Sequence, residues 1–222
     1  MIELINIEKH YRLKNGGTKV VLDNISTVFP KGRNVGILGL NGSGKSTLIR
    51  ILGGSERPNS GRVKKTVSVS WPLGFAPSFS GSLTGTENLR FVARIYDHDI
   101  DEVTDFVRDF AELGRYMDEP INTYSSGMRA KLAFGLSMAM DFQVYLIDET
   151  LSVGDAAFQA KCKRVFDQRA ARSSLVVASH HISVMRDYCH SAGVLTDGKL
   201  TMFDDLDTAN DFYTDYIAKR AA

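Results

Sequence analysis

The run Val35-Gly36-Ile37-Leu38-Gly39-Leu40-Asn41-Gly42-Ser43-Gly44-Lys45-Ser46-Thr47 decides how the rest of the chain is read. Val35–Leu38 has the character of a short buried strand, Thr47–Leu52 that of a helix, and the glycines fall between them. The spacing fits G-x-x-x-x-G-K-[ST], in the strand–loop–helix setting that the pattern requires. Glycine lets the backbone turn so tightly that successive N–H groups face one anion, helped by the positive end of the following helix. Gly39, Asn41, Gly42, Ser43, Gly44 and Thr47 belong to this cradle. Lys45 adds a mobile cation for the β- and γ-phosphates of a nucleotide, and the Ser46 hydroxyl can ligate Mg²⁺. Read only as a turn, the stretch would not need the lysine and the hydroxyl at these positions.

About 100 residues downstream, Gln143-Val144-Tyr145-Leu146-Ile147-Asp148-Glu149 is an apolar strand that ends in two carboxylates. Ligands of doubly wound sheets bind at the carboxyl ends of the strands. Asp148 is therefore expected to hold Mg²⁺ through water, and Glu149 to act as general base on the attacking water. Alone, the pair reads as two solvated carboxylates; the upstream phosphate loop reverses that preference.

The 222 residues carry 27 Lys+Arg and 26 Asp+Glu, a net charge of +1, and 43% of them are apolar. Disordered and fibrous classes are excluded, and the charge balance argues against a nucleic-acid partner. Cys162 and Cys189 cannot build a disulfide framework. The opening residues lack a secretory leader, and the longest apolar stretches fall far short of the ~20 residues that span a bilayer. The expectation is a soluble, cytoplasmic chain.

Strands are expected at Ile2–Ile7, Val35–Leu38, Val63–Ser70, Val144–Ile147, Leu175–Ala178 and Ala192–Leu195, with a hairpin turn at Asp197-Gly198. Ile100, Val103, Phe106, Val107, Phe110 and Leu113 form a helical stripe. Further helices are expected at Thr86–Tyr96, Ser126–Met140, Asp155–Ala171, Ile182–Tyr188 and Thr208–Ala218. Residues 85–140 thus read as almost wholly helical, and 97–119 holds nine acidic and two basic residues, a solvated face. The fold class is α/β: a P-loop core with a mainly parallel sheet, an N-terminal antiparallel β element and an inserted helical subdomain. The boundaries are one domain over 1–222, with core 1–75 and 141–222 and helices over about 76–140.

With these motifs in place, the sequence resembles the ATP-binding cassette (ABC) family over nearly its whole length. Tyr124-Ser125-Ser126-Gly127-Met128, before a helix, stands where the family carries its Leu-Ser-Gly-Gly-Gln signature. The resemblance implies that Ser125 supplies a hydroxyl, and Ser126 and Gly127 a close backbone approach, to the γ-phosphate of ATP held by the other subunit of a dimer. Ser126 replaces a family glycine. Ser152-Val153-Gly154-Asp155 matches the D-loop, which in the family crosses the dimer interface. His180, after the strand at 175–178, matches the switch histidine, and Tyr11 the aromatic that stacks on adenine. His181, His190 and the cysteines read as packing or surface residues. The family's Mg²⁺-contacting Gln has no counterpart in Ser70–Phe79.

That departure, with Trp71-Pro72-Leu73-Gly74-Phe75, Ser82-Leu83-Thr84-Gly85 and Glu87-Asn88-Leu89-Arg90-Phe91, resembles the ATP-binding subunits of capsular polysaccharide exporters. ATPases of O-antigen, teichoic acid or other polysaccharide exporters are the alternative, and a soluble ABC ATPase a more distant one. The resemblance implies an ATP- and Mg²⁺-dependent ATPase that works as a homodimer on the cytoplasmic face of the bacterial inner membrane. Its expected partner is an integral membrane permease that moves a lipid-linked polysaccharide. Trp71, Phe75, Phe79 and Phe91 either face that permease or pack the insertion.

Overall fold

Ile2, Leu4 and Ile7 point one face of β1 (Ile2–Arg12) into a core, the register being reset around Asn6, whose φ is 49°. The computed structural model describes residues 1–73, 79–148 and 154–221. By their contacts these fall into two units. The first comprises the described residues of Met1–Pro72, Phe142–Glu149 and Ser173–Ala222, the second those of Leu73–Asp141 and Thr150–Arg172. The second unit thus takes in a helix beyond residue 150, where the sequence reading ran the core on from 141.

The first unit holds two sheets. In one, β1 lies between β2 (Thr18–Phe29) and β4 (Ser60–Lys65), all antiparallel. Sequence patterning misses β2 because its ladder with β1 shifts register three times. Its buried residues, Val21, Leu22, Ile25 and Phe29, therefore keep no period of two.

The other sheet has the order β5-β6-β7-β3-β8-β9. Its strands are β3 (Val35–Leu38), β5 (Val69–Pro72), β6 (Val144–Asp148), β7 (Ser174–Ser179), β8 (Ser191–Thr196) and β9 (Lys199–Phe203). All ladders are parallel except β8–β9. That hairpin turns at Asp197 and Gly198, with φ of 47° and 79°, as the Asp-Gly signal predicts. The single strand expected over Val63–Ser70 is instead two strands, β4 and β5, one in each sheet.

Between the sheets runs α1 (Lys45–Gly53). Its Leu48, Ile49, Ile51 and Leu52 are buried in one cluster with Ile2, Leu4, Leu22 and Phe29 from the antiparallel sheet and Ile37, Leu146 and Val176 from the parallel one. These four apolar residues form one broad face of α1 that must be buried, while Ser46 and Arg50 lie on the other. The short α6 (Ile182–Arg186) and α7 (Leu206–Ala221) complete the unit.

The second unit is helical: α2 (Gly85–Ile95), α3 (Ile100–Ala111), α4 (Ser126–Ala139) and α5 (Ala156–Ala170). Each start carries a side-chain cap: a Thr84–Glu87 capping box on α2, Asp99 on α3, Ser125 on α4 and Asp155 on α5. Phe110 joins the helices by packing on Phe106, Phe134 and Phe158 at centroid distances of 5.3–5.8 Å. Gly135 lets α4 approach α3, since a Cβ there would lie 3.1 Å from the Phe110 ring.

Of the aromatics singled out in the sequence, Trp71 is core, only 4% exposed and set edge-on to Phe142 at 5.3 Å. Phe91 is 59% exposed, Phe79 is half-buried, and Phe75 lies outside the described residues.

The edge strand β5 depends on one hydroxyl. Its ladder with β6 is irregular between Val69 and Pro72. Ser70, fully buried, accepts the Leu146 N–H at 2.9 Å and donates to the Trp71 carbonyl at 2.7 Å. In Ser70→Ala the buried Leu146 N–H loses this acceptor, at about 1–3 kcal/mol. Urea denaturation should show a lower midpoint with an unchanged slope; an unchanged midpoint would mean that the hydroxyl does not hold the strand.

Candidate nucleotide-binding site

The site grows from the junction of β3 and α1. Gly44 caps α1 at φ 111° and offers no side chain to it, and the first turn has no acidic residue. The first amides of α1 are therefore not taken by a side-chain cap, the condition under which a helix start accepts an external anion. Glycine is required on both counts, since a Cβ at Gly44 would lie 2.6 Å from the Val21 side chain. At Gly39 it would lie 2.7 Å from both the Leu195 carbonyl and the Ser43 hydroxyl. That Ser43 Oγ is buried with no hydrogen-bond partner among the described residues, an orphan that suits a bound ligand.

Lys45 is 5% exposed and donates from Nζ to the carbonyls of Gly39 and Leu40, at 2.8 and 3.1 Å, which folds the ammonium back over the loop. Ser46 donates to Asp148 Oδ1 at 3.1 Å. Strand register explains that meeting: Leu38 pairs with Ser179 and Asp148 with Ala178, so the ends of β3, β7 and β6 lie side by side. His180 follows directly on β7, half-buried, its ring 3.8 Å from that of His181. Hydroxyl and carboxylate oxygens at a strand end are hard donors that fit Mg²⁺. Among the described residues no group of three His, Cys, Asp or Glu could hold a metal. An ion there would keep most of its shell as water and phosphate oxygens, as Mg²⁺ does.

A cavity of about 390 Å³ opens in front of the loop, lined by Tyr11, Lys19, Val21, Asn41, Gly42, Gly44, Lys45, Ser46 and Thr47. Tyr11 thus joins the phosphate loop across 28 residues of sequence. The Tyr11 hydroxyl donates to Glu56 Oε1 at 2.5 Å and lies 3.4 Å from Thr47 Oγ1. Lys9 and Arg50 also hold Glu56, each at 2.9 Å. Burial pushes the Glu56 carboxyl up, but hydrogen bonds from Tyr11, Lys9 and Arg50 outweigh it and bring the pKa down to about 2. Lys19 on β2, Arg50 on α1 and Glu56 just after it escape sequence reading, because they come near Tyr11 only once the antiparallel sheet is laid beside α1.

Ser125, Ser126, Gly127 and Asp155 belong to the second unit. The Ser125 hydroxyl accepts the Met128 N–H at 3.2 Å, and Ser126 and Gly127 are exposed in the first turn of α4. Around Gly127 a Cβ would meet nothing closer than Ser125 Oγ, at 3.9 Å. Asp155 accepts the Phe158 N–H at 2.9 Å, and that bond, chiefly, lowers its pKa. Glu149, Ser152 and Val153 lie outside the described residues. Cys162 and Cys189 are buried, and burial pushes their thiols up to about 11 and about 12, so they stay protonated. No helix among the described residues is long and apolar enough to cross a membrane.

Comparison with known proteins places this geometry. The ABC transporter family model matches residues 22–152. The chain is 50% identical over 214 residues to the capsule polysaccharide export ATP-binding protein CtrD of Neisseria meningitidis, covering 96% of this chain and 98% of that protein. It is 49% identical over 216 residues to the ATP-binding protein BexA of Haemophilus influenzae, with coverages of 97% and 99%. Among solved structures, it superposes with a TM-score of 0.71 on a dimeric ATP-binding cassette bound to ADP and Pi. That match has 21% identity and covers 93% of this chain and 99% of the other, a likeness of fold. A glycine-cradled helix start beside a strand-end carboxylate, within a chain matched this closely, makes the protein an ATP-binding ATPase of the ABC transporter family.

Proposed function

We propose that the chain is the ATP-hydrolysing subunit of an exporter that moves capsular, lipid-linked polysaccharide through a separate integral membrane permease. It would work as a homodimer at the cytoplasmic face of the inner membrane, its nucleotide-binding domain spanning 1–222. The observation that carries this reading is the near-full-length 50% identity to a capsule polysaccharide export protein, joined to a phosphate loop whose Ser46 meets Asp148.

In this reading ATP lies in the cavity before the loop, its base against Tyr11 and its phosphates over residues 39–47. Lys45 exchanges its hold on the Gly39 and Leu40 carbonyls for the β- and γ-phosphates. Ser46 and Asp148 would hold Mg²⁺, which when bound neutralises phosphate charge. Glu149 takes the proton of the attacking water, and His180 donates to the γ-phosphate oxygen. The other copy closes the site with Ser125, Ser126 and Gly127, the start of α4 facing the γ-phosphate. Asp155 would stand at the dimer boundary, anchoring its own segment there through the Phe158 N–H. Exposed Phe91 on α2 belongs to the permease-facing surface.

Two expected outcomes check this reading. Lys45→Ala should reduce turnover about 100-fold or more, and Glu149→Gln by about 10²–10⁴-fold, the latter trapping an ATP-bound dimer visible by size exclusion. Unchanged turnover in Glu149→Gln would remove it as the base. Gly127→Ala should fold with an equal or slightly raised melting temperature, since its own chain leaves room for a Cβ there and alanine is the better helix former, yet lose at least about tenfold in turnover, as a positioned-donor contact would. Full activity in that variant would mean that no second copy approaches α4 closely. In cells lacking the native gene, surface capsule should return with the wild-type chain and not with Lys45→Ala.

A further inference from the structure

Glu56 lies outside every motif read from the sequence, yet it is the most densely held carboxylate beside the cavity. One of its oxygens receives the Tyr11 hydroxyl at 2.5 Å and the Lys9 ammonium at 2.9 Å. The other receives Arg50 Nε at 2.9 Å. Arg50 belongs to α1, the helix that begins at the phosphate loop, and it also donates to Thr47 Oγ1 at 3.3 Å. Lys9 is tied further to the Arg57 carbonyl at 2.8 Å, and its ammonium stands over the Tyr11 ring, 5.1 Å from the centroid. The carboxylate thus fastens the end of β1 to α1 at the point where Tyr11 enters the cavity.

We propose that Glu56 is a positioning residue for nucleotide binding, fixing the plane of the Tyr11 ring against which the base stacks. The inference rests on the reading of this cavity as the ATP site. Tyr11 is 37% exposed, so packing alone leaves its ring free to turn. A hydroxyl anchored at the far edge removes that freedom and leaves the ring faces available. The Lys9 cation covers one face, and the other is left to the base. Because the anchor runs through Arg50 to α1, ring and phosphate loop are set against the same helix. The distance between base and triphosphate is thereby fixed before the ligand arrives, which lowers the ordering cost of binding.

The test compares two ligands of the intact chain by calorimetry: Mg·ATP, which uses ring and loop, and inorganic tripolyphosphate, which uses the loop alone. Glu56→Ala should weaken ATP binding about tenfold, the order of one base–aromatic stack. Tripolyphosphate affinity should stay within about twofold, since the loop amides and Lys45 are untouched. In steady-state assays the same variant should raise KM rather than lower kcat. Glu56→Gln, which keeps an acceptor for the hydroxyl, should fall between wild type and Glu56→Ala. It also supplies the measurement should Glu56→Ala fail to fold. Tyr11→Phe, which removes the anchored hydroxyl, should lose as much as Glu56→Ala, and the double variant no more than either alone. Equal weakening of both ligands, full additivity with Tyr11→Phe, or unchanged ATP affinity would each overturn the positioning role. A wild-type chain that binds neither ligand would instead overturn the nucleotide-site reading beneath it.

Discussion

Helix α1 can turn its first amides toward an anion only because the rest of it is enclosed. Leu48, Ile49, Ile51 and Leu52 are packed between the two sheets, so neither the axis nor the rotation of the helix can adjust. Fixed peptide dipoles pointing at one place need no reorganisation when charge arrives, unlike water or a mobile lysine. The two loop glycines serve the same end: each stands where a methyl group would collide with the Val21 side chain or the Leu195 carbonyl. The antiparallel sheet is therefore more than a cover. It supplies half of the wall that holds α1, and it carries Tyr11 to the same cavity.

The polar groups around that wall follow one electrostatic logic. Lys45, buried to 5% exposure, donates to the backbone carbonyls of Gly39 and Leu40. A carbonyl accepts a hydrogen bond without bringing a net negative charge that would oppose a phosphate. The cavity's other acidic neighbour, Glu56, is saturated by two cations and a phenol, so its negative charge is turned away from the ligand. Asp148 accepts from the neutral Ser46 hydroxyl.

How much of this was legible in the sequence depends on the range of the interactions. The phosphate loop, the strand that ends in Asp148 and the Asp197-Gly198 turn are local patterns, and they fold as read. The strand β2 was not legible, because bulges shift its buried face and hide the alternation of Val21, Leu22, Ile25 and Phe29. The break between β4 and β5 was hidden because Val63, Val67 and Val69 carry a β-branched pattern on across it, and only their different partner strands separate them. Tyr11 was found through likeness to a family. Glu56, Lys9 and Arg50 were not, since their meeting exists only once β1 is laid beside the end of α1.

Three helix starts in the chain show how the choice of cap decides what the positive end can do. On α5 the cap is Asp155, whose ionised carboxylate already holds the Phe158 amide. That carboxylate, a negative, acceptor-only group, already occupies the place an external anion would take at this helix start. On α4 the cap is the neutral Ser125 hydroxyl, which can turn to donate its proton outward while the adjoining amides of Ser126 and Gly127 stay exposed. On α1 the cap is Gly44, with no side chain at all, so no side-chain cap competes for the amides. From α5 through α4 to α1 the helix start becomes steadily more open to an external anion. That order suits the arrangement proposed above, in which α1 carries the bulk of a triphosphate and α4 of a second copy meets only its outer end.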